Sequence, residues 1–289
     1  MKIGIYYAYW EENWFADYST YVKKAARLGY DVLEISCGGI ARMSPKELLD
    51  LRDLAAEKAI ILTAGYGPAP EENIASQDSA IVKNAFKFWE KMFASLEALD
   101  INIVGGGLYS YWPVDYSKPI DKIGDRKRSV SNMRLLADMA EAHGITTLGM
   151  ESLNRFEGYL INTSHEACEY VDEVNRPNVK VMLDTFHMNI EENDIPGAIL
   201  EAGGRLGHFH VGERNRRLPG QGDLPWDKIA ATLKAIGYNG FIVSEPFVKM
   251  GGRVGSDIKV WRNIIPDVSE KRIDDDAAAS AAFLRGLFA

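Results

Sequence analysis

The chain alternates short aliphatic runs with longer helical patterns eight times, and this alternation limits its possible folds more than any other feature. The aliphatic runs are rich in β-branched residues and mostly lack a polar residue at every second position, which is typical of strands covered on both faces. These predicted strands are residues 2–6, 31–36, 60–64, 101–104, 146–151, 179–184, 206–211 and 241–245. The predicted helices between them are residues 18–28, 44–58, 79–99, 121–142, 164–175, 195–201 and 226–236.

Eight βα units without a break in composition predict an α/β protein that folds as one (β/α)8 TIM barrel, a single domain over residues 1–289. An open, doubly wound sheet is the alternative fold. Such a sheet would normally carry a glycine-rich dinucleotide fingerprint, but no G-x-G-x-x-G follows the first predicted strand.

The end of the chain predicts one further element. Three aspartates, Asp274 to Asp276, precede an alanine-rich stretch, and acidic residues stabilise the first turn of a helix. We therefore expect an additional C-terminal helix at about residues 276–289. Its apolar side chains, expected to dock on the barrel or on a partner subunit, are Phe283, Leu284, Leu287 and Phe288.

Composition restricts the partners and the compartment. The net charge of −8 speaks against a nucleic-acid partner, which would require a basic surface. No run is long enough to span a membrane, and the N-terminus does not resemble a secretion signal. Two cysteines are too few for a disulfide framework. We therefore expect a cytoplasmic protein that binds neither nucleic acid nor membrane.

Four polar residues recur at the ends of predicted strands, about one βα unit apart. They are Glu151, Asp184, His210 and Glu245. The carboxyl ends of the strands of a βα barrel meet on one face, so these side chains should converge there. Three carboxylates at one point repel one another unless a cation lies between them. The spacing therefore predicts a metal site, although each residue taken alone could be an ordinary helix cap or ion-pair partner.

The residue types narrow the choice of metal. Oxygen-rich ligation with a single histidine favours Mn²⁺, Co²⁺ or Mg²⁺ over structural Zn²⁺, which prefers cysteine and histidine. Two histidines, His208 and His210, occur in the same predicted strand. We expect only His210 to face the barrel mouth and His208 to point the other way, as a core or helix-facing residue.

The loops that follow the strands carry further polar side chains. Glu157, His187 and Arg216 follow the fifth, sixth and seventh predicted strands. An acid, an imidazole and a guanidinium above a metal could each hold an oxygen of a polyhydroxylated substrate. For Arg216 a solvated basic loop is the alternative, since Arg214 and Arg217 adjoin it. Aromatic residues near strand ends, which include Tyr6, Tyr66 and Trp112, could wall a sugar pocket or simply pack in the core.

Long motifs along nearly the whole chain resemble the D-tagatose 3-epimerase and D-psicose (D-allulose) 3-epimerase family. The motifs are GIYYAYW, SYWPVDY, LNRFEGYLINT, VKVMLDTFHMNIEE, GHFHVGERNRRLPG, NGFIVSEPFV and GSDIKVWR. The resemblance implies a (β/α)8 enzyme that uses Mn²⁺ or Co²⁺ to invert C3 of a free ketose, as a homodimer or homotetramer.

Matched motif by motif, the resemblance assigns roles to individual residues. It implies metal ligation by the four strand-end residues already named, with Glu151 and Glu245 as the acid/base pair. It implies contacts to the O1–O3 end of the sugar by Glu157, His187 and Arg216. It implies pocket walls at Tyr6, Gly67 and Trp112. This chain departs from the family at Tyr66, where Cys, His or Ile is common, near the expected O4–O6 end of the sugar.

Other functions remain open from the residues alone. An aldose–ketose isomerase or a ketopentose (ribulose) 3-epimerase could use the same barrel and metal. A metal-dependent DNA-repair endonuclease would need several ions, many histidines and a basic face, whereas this chain has five histidines and a charge of −8. A non-catalytic sugar-binding module would not need a metal between two facing glutamates.

We predict that Tyr66→Ile changes the ranking of ketose substrates more than it changes metal affinity, because Tyr66 is expected at the end of the sugar remote from the metal. The measurements are kcat/KM over a panel of ketohexoses and ketopentoses, and calorimetric titration with Mn²⁺, for the variant and the wild type. An unchanged ranking accompanied by weaker Mn²⁺ binding would contradict this prediction.

Overall fold

The eight predicted strands all form, and they close into one parallel barrel. The computed structural model describes residues 1–288. Each strand pairs with the next in sequence order, and β1 pairs with β8 to close the ring. The strands are β1 Lys2–Tyr6, β2 Val32–Ser36, β3 Ile61–Gly65, β4 Ile103–Gly106, β5 Thr147–Glu151, β6 Val179–Asp184, β7 Leu206–Val211 and β8 Phe241–Ser244. The predicted (β/α)8 TIM barrel is confirmed.

Helices surround the barrel and also cap its carboxyl end. The larger ones are α1 Tyr18–Arg27, α3 Pro45–Glu57, α4 Ser79–Ala98, α5 Lys122–Ala142, α6 Ser164–Val174, α8 Ile195–Ala202, α9 Trp226–Ala235 and α11 Glu270–Phe288. Three short helices that the sequence patterns did not predict follow strand ends: α2 Cys37–Ile40, α7 Thr185–Glu191 and α10 Gly252–Asp257. None of the helices in residues 1–288 is both long and apolar enough to cross a membrane.

Local sequence explains where the helices begin. At α3, the side chain of Ser44 accepts a hydrogen bond from the backbone N–H of Glu47, and the side chain of Glu47 accepts one from the N–H of Ser44. Pro45 occupies the first turn, where its missing N–H costs nothing. The predicted helices therefore start and end within a few residues of their expected bounds.

Gly105, which has no side chain, leaves space inside the barrel for the larger side chains of its neighbours. At Gly105 in β4, an added Cβ would lie 2.4 Å from Sδ of Met182 in β6. The space that a side chain would occupy is instead taken by Met182, with the ring of His208 close by. The barrel interior can therefore accommodate an imidazole, which a column of branched aliphatic residues would exclude.

The C-terminal helix begins earlier than predicted, and it completes the helical ring. α11 starts at Glu270 rather than near residue 276, so Asp274 lies within the helix and not ahead of it. The predicted last residue, 289, lies outside the described residues. The helix contacts β1 and α9, the helix that follows β7. α11 thus fills the eighth position of the ring, and its docking on the barrel is confirmed by the burial of Leu284 and Phe288.

A buried aspartate fastens α11 to the start of the chain. Oδ1 of Asp274 accepts a hydrogen bond of 2.8 Å from Nε1 of Trp10, and Oδ2 lies 2.6 Å from Nη2 of Arg27. Nζ of Lys24 lies 3.3 Å from Oδ1. Burial of Asp274 opposes its ionisation, but Arg27, Lys24 and Trp10 hold its pKa below the usual value. The ionised carboxylate therefore stabilises the closed ring.

We predict that Asp274→Asn lowers the free energy of unfolding by about 2 kcal/mol at neutral pH, since it removes the charge from hydrogen bonds to two cations and an indole. The lowered pKa means that this stabilisation is complete above the unfolded pKa of about 3.9 and is lost as the pH falls through the folded value. Urea unfolding of both proteins at pH 7 and below pH 4 measures the difference, which should shrink in acid.

Asp275→Asn is the matched control. Its side chain is 60% exposed, compared with 10% for Asp274, and within residues 1–288 its only salt bridge is to Lys271 one turn away. Exposed pairs of this kind contribute about 0.5 kcal/mol or less. Equal destabilisation by the two variants would show that Asp274 is not the anchor of α11.

Candidate active site and metal centre

Four ligand atoms from four strand ends converge at the carboxyl end of the barrel. Glu151 ends β5, Asp184 ends β6, His210 lies near the end of β7, and Glu245 directly follows β8. One ligand atom from each residue lies within 4.8 Å of the other three. A single ion at about 2.0–2.4 Å from each donor could contact all four. We call these four residues the carboxylate–histidine cluster; the predicted set is brought together.

The orientation of each ligand is fixed by the local structure. Asp184 is the N-cap of α7, and its Oδ1 accepts a hydrogen bond of 2.8 Å from the N–H of Phe186. Its Oδ2 therefore remains for the cluster. The remaining two carboxylates face Nδ1 of His210. Oε2 of Glu245 lies 3.6 Å from this nitrogen, and Oε1 of Glu151 lies 3.9 Å from it.

Two buried polar atoms in the cluster lack a partner. Oε1 of Glu151 and Nδ1 of His210 are inaccessible to solvent and make no hydrogen bond within residues 1–288. Burying such atoms without a partner costs free energy, and both face the same point. Three carboxylate donors and one imidazole nitrogen suit a divalent cation. The residues present therefore fit a bound metal ion.

The electrostatics of the cluster favour a cation. Burial, followed by the charge of Glu245, raises the pKa of Glu151 well above its usual value, and burial also raises the pKa of Asp184. Burial opposes ionisation of Glu245 too, but Arg216 and His210 hold the pKa of that carboxyl below its usual value. One guanidinium offsets only one of the three carboxylates, so ionisation of all three leaves two negative charges for a divalent ion to balance.

Arg216 is held over the cluster by an unusual backbone conformation. Its φ of +63° lies in the left-handed region, and its guanidinium is buried. Nη1 lies 2.6 Å from Oδ2 of Asp184 and 2.8 Å from Oε2 of Glu245. The guanidinium also stacks 4.0 Å above the ring of Phe186. The alternative of a solvated loop arginine is therefore excluded.

A buried carboxylate outside the cluster organises the loop that carries Arg216. Oε1 of Glu213 accepts hydrogen bonds from the N–H of Gly220 at 2.9 Å and from Nε1 of Trp226 at 2.8 Å. The backbone carbonyl of Glu213 accepts from the N–H of Arg216 at 3.0 Å. Glu213 thus holds the turn to Gly220 and Trp226 through its side chain and to Arg216 through its backbone. These hydrogen bonds offset the cost of the left-handed backbone conformation of Arg216.

His187 contacts both Asn154 and Arg216 beside the cluster. Its Nδ1 accepts from the backbone N–H of Asn154 at 3.1 Å, and its Nε2 lies 3.1 Å from Nη2 of Arg216, a group that can only donate. Burial, followed by the charge of Arg216, holds the pKa of His187 well below its usual value, so the ring is neutral near pH 7. Nε2 lies 3.8 Å from Oε1 of Glu151. The side chain of Asn154 also donates to Glu157 at 3.0 Å.

A cavity of about 430 Å³ lies above the cluster, a size suited to a small ligand. All of the residues predicted to contact the sugar line it: Tyr6, Tyr66, Gly67, Trp112, Glu157, His187 and Arg216. Glu151, His210 and Glu245 form part of the same lining, whereas Asp184 is completely buried beneath it.

The wall of the cavity away from the cluster is aromatic. The ring of Tyr66 stacks on Phe88 with centroids 5.0 Å apart, and its hydroxyl contacts Glu72. At Gly67 an added Cβ would lie 2.9 Å from Cβ of Trp112, so only glycine lets that indole approach. The surface of the cavity at this end is therefore set by packed aromatic rings.

The prediction that His208 points away from His210 was wrong. Residues two apart on a strand share a face, because successive side chains alternate. Both imidazoles enter the barrel interior, where Nε2 of each lies within 2.8 Å of the carboxylate of Glu34. Glu34 is fully buried and was not among the predicted residues. Its signal in the sequence was a charged residue within an otherwise apolar strand.

Comparison with known proteins gives consistent matches over almost the whole chain. The model of the xylose isomerase-like TIM barrel family matches residues 22–264. The D-psicose 3-epimerase of Enterocloster bolteae is 51% identical, with 100% of this chain and 96% of that protein covered. The D-psicose 3-epimerase of Ruminiclostridium cellulolyticum is 52% identical, with 99% and 97% covered. The crystal structure of D-psicose 3-epimerase with D-tagatose from Clostridium cellulolyticum H10 superposes with a TM-score of 0.98 at 51% identity, covering 100% of this chain and 99% of that one.

We predict that Mn²⁺ stabilises the protein against heat, because an ion that binds only the folded state relieves the repulsion within the carboxylate–histidine cluster. At 100 times its Kd the ion would contribute about 2.7 kcal/mol, or a rise in Tm of about 4–5 °C for a chain of this size. Differential scanning calorimetry with Mn²⁺ and with EDTA measures the shift.

Two variants test whether this shift depends on the cluster. Asp184→Asn removes a predicted ligand and should abolish most of the rise in Tm. Asp172→Asn removes an exposed carboxylate that pairs with Arg205 outside the barrel and should keep it. A full Mn²⁺-dependent rise in the Asp184 variant would place the binding site elsewhere.

Proposed function

This chain belongs to the D-psicose 3-epimerase family within the xylose isomerase-like TIM barrels, and on that premise we propose that it interconverts the C3 epimers of free ketohexoses. The family resemblance read from the motifs is confirmed, and the chain is an enzyme of the isomerase class. The proposed substrate pairs are D-fructose with D-psicose and D-tagatose with D-sorbose. Support comes from the relatives named D-psicose 3-epimerase and from the solved structure that contains D-tagatose.

One observation carries the proposal at the level of residues. Glu151 and Glu245 approach the same point from β5 and β8, strands that are not neighbours in the barrel, at the floor of a cavity sized for a small ligand. Inversion of C3 needs a base that removes the C3 proton from one face and an acid that returns a proton to the other. Two facing carboxylates supply both.

The proton balance makes the two glutamates exchange roles. The carboxylate that takes the C3 proton becomes a carboxylic acid, and the opposite carboxylic acid gives its proton to C3 and becomes a carboxylate. The reverse reaction starts from the state that the forward reaction leaves. Neither Glu151 nor Glu245 is therefore solely the acid or solely the base.

Three further side chains position the ketose and hold its developing charge. His187 and the guanidinium of Arg216 face the same part of the cavity, with Nε2 and Nη2 3.1 Å apart, and the guanidinium can donate to the oxygens at O1 and O2. Glu157, held by Asn154, can accept from a sugar hydroxyl. Tyr6, Gly67 and Trp112, together with the rings around Tyr66, would bound the sugar at the other end.

The metal that completes this site is proposed to be Mn²⁺ or Co²⁺, with Mg²⁺ as a third candidate. All four members of the carboxylate–histidine cluster would hold it, with Asp184 and His210 as ligands only. A bound divalent cation would supply Lewis acidity, which would stabilise negative charge next to the carbon that loses its proton. The mixed oxygen and nitrogen donor set supports these ions over structural Zn²⁺.

The assembly and the compartment are further parts of the proposal. The family resemblance supports a homodimer or homotetramer, and the net charge of −8 supports a protein that does not bind nucleic acid. The two cysteines, Cys37 and Cys168, are buried and unpaired, which supports the cytoplasm as its location.

An aldose–ketose isomerase is the second candidate, favoured by the xylose isomerase-like description of the matching family model. A ketopentose (ribulose) 3-epimerase is the third. Incubation of ketoses in D2O separates them: deuterium at C3 indicates a 3-epimerase and deuterium at C1 an isomerase. The relative rates on ketohexoses and ketopentoses then identify the preferred chain length.

We predict that Glu245→Gln abolishes exchange of the C3 proton, because the amide cannot accept or return it, while Mn²⁺ binding is weakened but retained through the other three ligands. NMR detection of deuterium at C3 of D-fructose, together with calorimetric titration of Mn²⁺, measures both effects.

Glu191→Gln is the matched control for this variant. The side chain of Glu191 is also buried, at 6% exposure, but it pairs with Arg155 outside the cavity. Its exchange rate should equal that of the wild type. Turnover at the wild-type rate in the Glu245 variant would remove Glu245 from the acid/base pair.

A further inference from the structure

A buried carboxylate lies beneath the carboxylate–histidine cluster, inside the barrel. Glu34 occupies the middle of β2 and is 0% exposed. Its Oε1 lies 2.6 Å from Nε2 of His210. Its Oε2 lies 2.8 Å from Nε2 of His208 and accepts a hydrogen bond of 2.9 Å from Oγ1 of Thr63. Three side chains from β3 and β7 therefore share this one carboxylate.

The chemistry of these contacts fixes the direction of every hydrogen bond. An ionised carboxylate can only accept, so Nε2 of both imidazoles must carry a proton. A buried carboxylate is stable only when its oxygens receive such donors. For His210 this leaves Nδ1 as the nitrogen that faces Glu151 and Glu245, and it is the atom that has no hydrogen-bond partner within residues 1–288.

We propose that Glu34 is a positioning residue that holds His210 with its proton on Nε2 and its Nδ1 lone pair directed at the cation. The inference rests on the proposed function in one respect, that the carboxylate–histidine cluster binds a divalent ion. A carboxylate behind a ligating imidazole fixes the ring orientation and makes the imidazole a stronger donor. Thr63 and His208 keep the carboxylate itself from rotating, because both hold Oε2.

The same residues form a second group of metal-ligand types, Glu34, His208 and His210. The contacts argue for a hydrogen-bonded network there. The distances of 2.6 and 2.8 Å are those of charge-assisted hydrogen bonds. In addition, the unpartnered atom of His208 is Nδ1, whereas Nε2 faces Glu34. An ion count per chain distinguishes the two arrangements.

The first test is the affinity for Mn²⁺, measured by calorimetry on the metal-free full chain. In Glu34→Gln the amide has one accepting oxygen and one donating nitrogen, so it cannot accept from both imidazoles. Binding should weaken by about 10–100-fold, the usual effect of losing such a partner. Thr63→Val is the matched control, because it removes a donor to Glu34 but leaves the bond to His210; its affinity should stay within about threefold of the wild type.

The second test reports the proton directly, first in the wild type and then in both variants. With histidine labelled by ¹⁵N and diamagnetic Zn²⁺ bound, the wild-type spectrum should show a proton on Nε2 of His210 and none on Nδ1. The Nε2–H signal should shift or exchange faster in Glu34→Gln and remain unchanged in Thr63→Val. A change confined to thermal stability would leave this signal in place, so the spectrum separates positioning from general destabilisation.

Three results would overturn the inference. The first is Mn²⁺ affinity in Glu34→Gln within threefold of the wild type. The second is a proton on Nδ1 of His210 in the Zn²⁺-loaded wild type. The third is two ions per wild-type chain of which Glu34→Gln loses one, since Glu34 would then be a ligand. If the expected binding and spectra are found in a protein that epimerises no ketose, the proposed function fails and the role of Glu34 stands.

Discussion

Mutual repulsion among buried carboxylates is the constraint on which the rest of the site depends. Glu151, Asp184 and Glu245 place an oxygen each within 4.8 Å of one another and of an imidazole nitrogen of His210. In the low dielectric of a barrel interior such charges are costly unless cations or donors face them. The guanidinium of Arg216 balances part of this negative charge, and we propose that a divalent ion at the centre of the cluster balances the rest. Catalysis then uses charges that the fold already has to balance.

The support for these charges comes from parts of the chain that do not touch a substrate. The Arg216 loop is held by Glu213, and the far end of that loop rests on α11, where Oγ of Ser280 donates to the carbonyl of Pro219 at 3.0 Å. Phe283 of α11 packs against Trp226, the indole that donates to Glu213. The last helix thus closes the helical ring and also steadies the loop over the carboxylate–histidine cluster. A site that must hold several groups to within fractions of an ångström needs such backing.

Sequence reasoning found the strands and the four residues of the carboxylate–histidine cluster because both depend on local patterns. Aliphatic runs of fixed length mark buried parallel strands, and a polar residue at the end of each such run marks the catalytic face of a barrel. Sequence reasoning failed for contacts between residues that are far apart in the sequence. Glu34 is more than 170 residues from the histidines that it binds, and no pattern in its own strand indicates that pairing. The error at His208 had a different source, a misapplied strand periodicity. The start of α11 was misjudged because acidic residues within a helix and acidic caps before one look alike until their partners, here Lys24 and Arg27, are known.

The sequence by itself determined the barrel, its face of chemistry, and the identity of the four members of the carboxylate–histidine cluster. Strand burial and strand-end polarity can be read from residues that are neighbours in the sequence. Eight βα repeats then favour closure of the strands into a parallel barrel. The motifs added the family and, through it, the sugar. Only the tertiary structure decided which nitrogen of His210 faces the ligands, which charges surround Glu245, and how Arg216 reaches them. Those features are set by distances between side chains on different strands, and such distances exist only once β1 has paired with β8 and the ring is closed.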